Sequence, residues 1–284
     1  MEEKNSNRGL VVGLIICIII ILLLTGLLAW KFIDKDSNNK NNEVNTNEKQ
    51  EETTSYDLTD AKKLIDKYLT NGVGSFGLDY YFEKGYDNDA KGYLAYQNIK
   101  KNQIKMVSCE EIYSGNSDFT YDGNGSWYNS ESLFCDGTTS TTAVSYDALN
   151  EVYKELFGSD EKLPKEDIKF VFSNYNYDKK TDQFVSLSCH CGGAGDTYHG
   201  YGIKSASKTS NTLIIDVGYY VLEYNHDNNT YSSKITDKTY TNEDIEKSNF
   251  DSEFFNEFKD KMDTYRFTFK YEVDHYVLKD MKKR

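Results

Sequence analysis

The sequence predicts an α+β protein with three parts: an N-terminal transmembrane helix, a disordered tether, and a folded body. The body is expected to hold a mostly antiparallel, curved sheet packed against helices, with a more helical lobe at its N-terminal end. Three observations carry this. Residues 9–30 contain no charged side chain and are almost wholly apolar. Residues 31–55 lose nearly all apolar character and are rich in Asn, Lys, Asp and Glu. Beyond them, apolar positions recur at helical spacing in four places and at period two in the second half of the chain.

The apolar run is long enough for a bilayer. Twenty-two residues at about 1.5 Å each reach about 33 Å, against a hydrocarbon core of about 30 Å. Arg8 and Lys31 bound it, and Trp30 suits an interface. A cleaved signal peptide would have a shorter apolar core and a small-x-small cleavage site. A lipoprotein would need a small residue before Cys17, where Ile16 stands. The expectation is therefore an uncleaved anchor. Residues 1–8 would form a cytoplasmic head, 9–30 would contact the lipid bilayer, and the body would lie outside the cytoplasm at the cell membrane. The flanking lysines do not settle this orientation, because Lys31, Lys35 and Lys40 outnumber Lys4 and Arg8. Residues 31–55 cannot bury enough surface to offset their ordering entropy, which is the expectation for a tether.

The body is divided into a helical lobe over 56–140 and a helix-plus-sheet lobe over 141–284. Thr59 is expected to cap a first helix with Ala61, Leu64, Ile65, Tyr68 and Leu69 inward, ended by Asn71 and Gly72. A weaker helix is expected over 88–100, around Ala90, Tyr93 and Leu94. Ser145 would cap a third, with Leu149, Val152, Tyr153, Leu156 and Phe157 inward and Gly158 as its stop. Phe254, Phe255, Phe258 and Met262 mark a fourth over 251–263.

Strands are expected over 168–177, 184–189, 198–207, 213–224 and 231–235, with turns at 178–182 and 225–229. The clearest alternation is last. Tyr265, Phe267, Phe269, Tyr271 and Val273 alternate with Arg266, Thr268, Lys270 and Glu272. Asp274 and His275 would turn the chain into a return strand over 276–281. No strand–helix–strand rhythm appears, so a parallel sheet is disfavoured. A helix on such a sheet is similar in architecture to NTF2-like and cystatin-like folds, which implies nothing about activity.

Composition excludes some roles. The chain of 284 residues carries a formal charge of −13, and its pI is near 4.9. Nucleic-acid binding needs clustered cations against phosphate, so no nucleic-acid partner is expected.

Four cysteines lie in the body: Cys109, Cys135, Cys189 and Cys191. An even count outside the cytoplasm points to disulfides. A direct Cys189–Cys191 bond closes a very tight ring. Bridges from Cys109 and Cys135 to the Cys189/Cys191 strand are the first expectation, and a Cys109–Cys135 bond the second. A zinc site around Cys189, His190, Cys191 and His199 is a rival, but the remaining spacings match no common module. A Cys189 or Cys191 nucleophile served by His199 is a further rival. The Gly192–Gly195 stretch lacks the Lys and helix of a phosphate loop and reads as a wide turn. Asp118, Asp122 and Asn124 miss the EF-hand spacing and read as a solvated loop. His226 and His275 fall in expected turns. No catalytic residue, cofactor or metal ligand is assigned.

The Lys-over-Arg bias, the anchor, the Asn-rich tether, the Phe157–Gly158 helix end, the Cys191-Gly-Gly turn and the closing hairpin together carry a resemblance. The chain resembles uncharacterised membrane-anchored surface proteins of low-GC Gram-positive bacteria. The resemblance implies a surface location and supplies no activity. The expected function is non-catalytic binding or cell-envelope interaction by an extracytoplasmic domain. An envelope hydrolase or transferase with a site between the lobes, or a carbohydrate-binding module with coplanar Tyr or Trp rings on an exposed face, are the alternatives.

Overall fold

The computed structural model describes residues 53–69, 75–136, 140–189 and 197–284. They form a mixed α+β fold whose strand pairs are antiparallel. The expected transmembrane helix is corrected here. Among the described residues no helix is long and apolar enough to cross a membrane, and 9–30 lies outside them. The tether also lies outside them except at its end, where its boundary moves. Thr54–Ser55 is a short strand, β1, paired with Lys208 and Ser207.

Helix α1 (Leu58–Leu69) buries Ala61, Ile65, Tyr68 and Leu69, as its spacing requires. Its cap is Asp57 rather than Thr59: the Asp57 carboxylate accepts from the Thr59 and Asp60 amides. Helix α2 (Ser75–Lys84) has no counterpart in the sequence expectations. Helix α3 (Asn88–Gln97) is capped by Asp87, which accepts from the Ala90 amide. Strand β2 (Lys105–Val107) and the short helix α4 (Cys109–Tyr113) lead into three strands, β3 (Phe119–Tyr121), β4 (Ser126–Asn129) and β5 (Phe134–Asp136). Strand β6 (Thr141–Ser145) runs directly into helix α5 (Tyr146–Phe157), which has the expected Ser145 cap. Gly158 ends it at φ +123°, a conformation that glycine adopts without strain.

The stretch expected as one strand over 168–177 is a hairpin. Strand β7 (Ile168–Phe170) turns through Val171, at φ +53°, into β8 (Ser173–Asp178), and β9 (Gln183–Leu187) returns beside it. The long strands β10 (Thr197–Lys208) and β11 (Thr212–Asn225) follow, then β12 (Thr230–Ser233) and β13 (Thr236–Tyr240). Helices α6 (Asn242–Ile245) and α7 (Phe250–Phe258) precede the closing hairpin of β14 (Asp263–Glu272) and β15 (His275–Lys283). There Tyr265, Phe267 and Phe269 are buried, but Tyr271 and Val273 are not. The strand outruns the core, and Val273 sits 93% exposed at φ +56° in the turn.

The described strands form three sheets. The largest runs β1-β10-β11-β12-β13, with β14 and β15 added on the β11 edge that also pairs β12. The second runs β2-β6-β9-β8-β7, and the third is β3-β4-β5. The expected separation into a helical lobe and a sheet lobe is overturned. Residues from α1, α2, α3 and α5 share one hydrophobic core with Phe170 and Phe184 of the second sheet and Ile215, Phe267 and Phe269 of the first. Residues 51–284 are a single compact unit. On the opposite face of the largest sheet, Phe250, Phe254, Phe255 and Phe258 of α7 pack with Tyr220, Leu222 and Met262.

That second packing depends on missing side chains. Gly202 and Gly218 pair across β10 and β11, and a Cβ on Gly202 would come 2.5 Å from the Phe255 ring. Gly202→Ala is therefore expected to lower stability by about 1–3 kcal/mol through overpacking, measured by urea unfolding. No change would mean that α7 does not seat in the glycine slot.

Cys109 and Cys135 are disulfide-bonded to each other. The expected bridges from these two to the Cys189/Cys191 strand are thus overturned, and the second expectation is the observed one. The physical reason is register. Antiparallel pairing of β4 with β5 places Cys135 opposite Trp127, on the face that packs with Tyr113 and Ile112 of α4. The bond closes a loop of sequence separation 26, and both residues are 1% exposed. Replacing both with Ala should cost about 3 kcal/mol in the chain-entropy view. Equal unfolding midpoints in reduced and oxidised protein would refute that contribution.

Candidate functional site

Helix α2 and strands β10 and β11 meet at one end of the largest sheet. They bring together Asp79, Thr197, His199 and Tyr219. His199 and Tyr219 lie on adjacent strands, one pair apart in register (His199 opposes Val221, Tyr201 opposes Tyr219), so their side chains share a face. Their rings are near parallel, with planes at 18°. Helix α2 lies against β10 and delivers Asp79 to the same point.

The hydrogen bonds form a directed chain. Tyr219 donates its hydroxyl proton to Asp79 Oδ1 at 2.5 Å. Its oxygen is then left to accept, and His199 Nδ1 stands 2.6 Å from it and 3.2 Å from Asp79 Oδ1. The ring proton belongs on Nδ1, and Nε2 accepts from the Thr197 hydroxyl at 2.8 Å. The His199 side chain is fully buried. Burial pulls its pKa below the ordinary 6.5, with the Asp79 charge opposing. Burial also pushes the Tyr219 hydroxyl far up, reinforced by Asp79. The chain is neutral at its histidine and tyrosine and anionic at its carboxylate.

Asp79 also borders a cleft of about 570 Å³, whose walls include Phe82, Tyr219 and Tyr265 and the charged Glu83, Glu223 and Asp263. Phe82 stacks on Tyr219 at 3.9 Å between ring centres, and Tyr265 meets Phe82 edge-on at 4.6 Å. The cleft's dimensions suit a small molecule. His199 lies behind this wall and not in it.

The residues singled out by the sequence are dispersed. Cys109 and Cys135 are bonded in the small sheet. Cys189 is also disulfide-bonded, so it holds no thiolate for the nucleophile considered above. Cys191, His190 and residues 192–195 lie outside the described residues, and the zinc and glycine-loop readings lie there with them. Among the described residues no three His, Cys, Asp or Glu side chains are placed to hold a metal. Asp122 is occupied in its own turn, accepting from the Asn124 and Ser126 amides. His275 is held between Asp274 and the Glu155 carbonyl. Of these candidates only His199 reaches the cleft region. Asp79, Glu83, Thr197 and Tyr219 were not visible as a group. The one available signal was the four-residue spacing of Asp79 and Glu83, in a stretch whose glycines hide the helix.

No protein-family model matches the chain, and neither does any curated protein or solved structure.

His199 couples folding to pH. Its folded pKa is depressed, so below about pH 6.5 the unfolded chain takes up a proton that the folded site resists. The native state should lose stability as pH falls from 6.5 toward 5. His199→Gln should remove part of that slope. Urea unfolding of both proteins at several pH values checks it, and identical slopes would refute it.

Proposed function

We propose that residues 53–284 form a non-catalytic binding domain that acts outside the cytoplasm at the cell envelope, with the cleft beside Asp79 as its ligand-contacting surface. The observation that carries this reading is the closure of the histidine cluster. A general base needs a free ring nitrogen within reach of a substrate proton. His199 is buried, its two nitrogens are engaged by Tyr219 and Thr197, and the Tyr219 ring separates it from the cleft. The cluster instead fixes the Asp79 carboxylate and the Tyr219 ring, which is how a preformed binding wall is built. Extracytoplasmic action is supported by the buried Cys109–Cys135 bond, since reducing compartments disfavour structural disulfides. The strongly acidic chain suits a non-nucleic-acid partner.

Two measurements test the reading. Protease added to intact cells should degrade the folded unit without lysis; full protection would overturn the location. Purified full-length protein should co-sediment with isolated cell envelopes without releasing soluble fragments from them. Fragment release that His199→Gln abolishes, with folding intact by circular dichroism, would replace the binding reading with a hydrolase.

A further inference from the structure

We propose that the cleft beside Asp79 is a site for a small organic cation, with Asp79 and Glu83 as counter-ions and the rings of Phe82, Tyr219 and Tyr265 as its walls. This deepens the binding reading above and rests on it.

The first ground is an unbalanced charge. Asp79 and Glu83 stand one turn apart on α2, a separation at which like charges repel. Both lie in the second half of the helix, where the backbone dipole is already negative. Neither pairs with a lysine or arginine among the described residues; Asp79 meets only the Tyr219 hydroxyl and the His199 ring. The other carboxylates of the cleft are compensated. Asp263 pairs with Lys283 at 2.5 Å, and Glu223 with Lys234 at 3.2 Å. Lys261 is drawn toward the Phe258 ring, 5.7 Å from its centre. The negative excess is therefore local to the α2 wall. A helix that sets two uncompensated carboxylates against each other in its unfavourable half breaks a local rule, and such breaks concentrate at functional sites.

The second ground is independent of charge count. The same wall carries aromatic rings, whose faces attract a cation within about 6 Å. Phe82 lies between Asp79 and Glu83 in sequence and stacks on Tyr219. The Tyr219 hydroxyl is committed to Asp79, so its ring and the carboxylate are fixed relative to each other before any ligand arrives. Burial raises the Tyr265 hydroxyl; Lys283 opposes, while Asp263, Glu83 and Asp79 reinforce, consistent with a negative potential over that wall. A metal ion is poorly served there, because no three ligating side chains converge among the described residues. An ammonium or quaternary ammonium group needs only charge and ring faces.

Calorimetric titration of the full-length protein with choline, putrescine, succinate and 3,3-dimethylbutan-1-ol tests the proposal. The last is the uncharged counterpart of choline. Choline or putrescine should bind, the alcohol and succinate at least tenfold more weakly. Glu83→Gln, on an exposed helix position, should weaken amine binding at least fivefold without moving the unfolding midpoint. Asp79→Asn should weaken it further. Equal binding of choline and its uncharged counterpart, or amine binding indifferent to Glu83→Gln, would overturn the cation site while leaving a binding cleft in place. Absence of binding by either amine would also overturn it, and the envelope sedimentation above would then decide the binding reading separately.

Discussion

Strand β11 must satisfy two cores at once, and the rest of the molecule follows from how its residues alternate. Leu213, Ile215 and Val217 face the helical layer and are fully buried. Tyr220 and Leu222 face α7 on the other side. A register slip of one residue would exchange these faces and expose both sets. Asp216 sits among the α7-facing residues as the polar member, and it is held by a two-point bond from Arg266 on β14, Nε to Oδ1 and a terminal nitrogen to Oδ2, each at 2.8 Å. A guanidinium fork fits a carboxylate in one orientation. The pair stands at matched positions, Asp216 opposite Arg266, so it fixes the β11–β14 register on which the apolar faces depend.

The cleft is a consequence of the same strand. Tyr219 continues the face of Leu213, Ile215 and Val217 past the end of the close-packed core. There α2 no longer covers it with aliphatic side chains, but with Asp79 and Phe82. A tyrosine at that boundary keeps its ring among apolar neighbours while its hydroxyl finds a polar partner. Histidine on β10 fills the remaining space behind it. The acid, phenol and imidazole chain thus begins as a solution to a packing problem at the edge of a core. Its chemical use comes from the open side of Asp79.

Much of this fold was legible. The α1, α3, α5 and α7 faces follow from apolar spacing, and Ser145 and Gly158 mark the ends of α5 by their backbone chemistry. The period-two run of β14 is the plainest signal in the chain. Other features were hidden for definable reasons. Helix α2 contains Gly77, and its surroundings hold Gly72, Gly74 and Gly85, a composition that reads as loop. Val171 adopts a left-handed conformation that β-branched residues avoid, so the β7–β8 hairpin looked like one strand. Strands β2 to β6 are three to five residues long, too short for alternation to register. The cysteine partners depend on the pairing of β4 with β5, which sequence spacing does not encode. The site itself is a tertiary product of α2, β10 and β11, separated by more than a hundred residues, and only His199 drew attention beforehand.

The abundance of tyrosine has a physical logic that links core and site. A buried ring contributes area, but its hydroxyl must find a partner or the desolvation cost remains. In the main core the partners are backbone carbonyls: Tyr68 donates to Leu156, Tyr86 to Tyr68 and Tyr146 to Leu163. These bonds pin helices to each other and to the segment after α5 at fixed distances. Toward α7 and the cleft the partners change to carboxylates, with Tyr198 and Tyr220 both donating to Asp251 and Tyr219 to Asp79. A carboxylate accepts such bonds more strongly than a carbonyl and retains an oxygen for other use. Asp251 takes two phenols on one oxygen and serves packing. Asp79 takes one phenol, is helped by a neutral imidazole, and borders open space. That difference in commitment, rather than any difference in residue type, separates the carboxylate that locks α7 from the one available to a ligand.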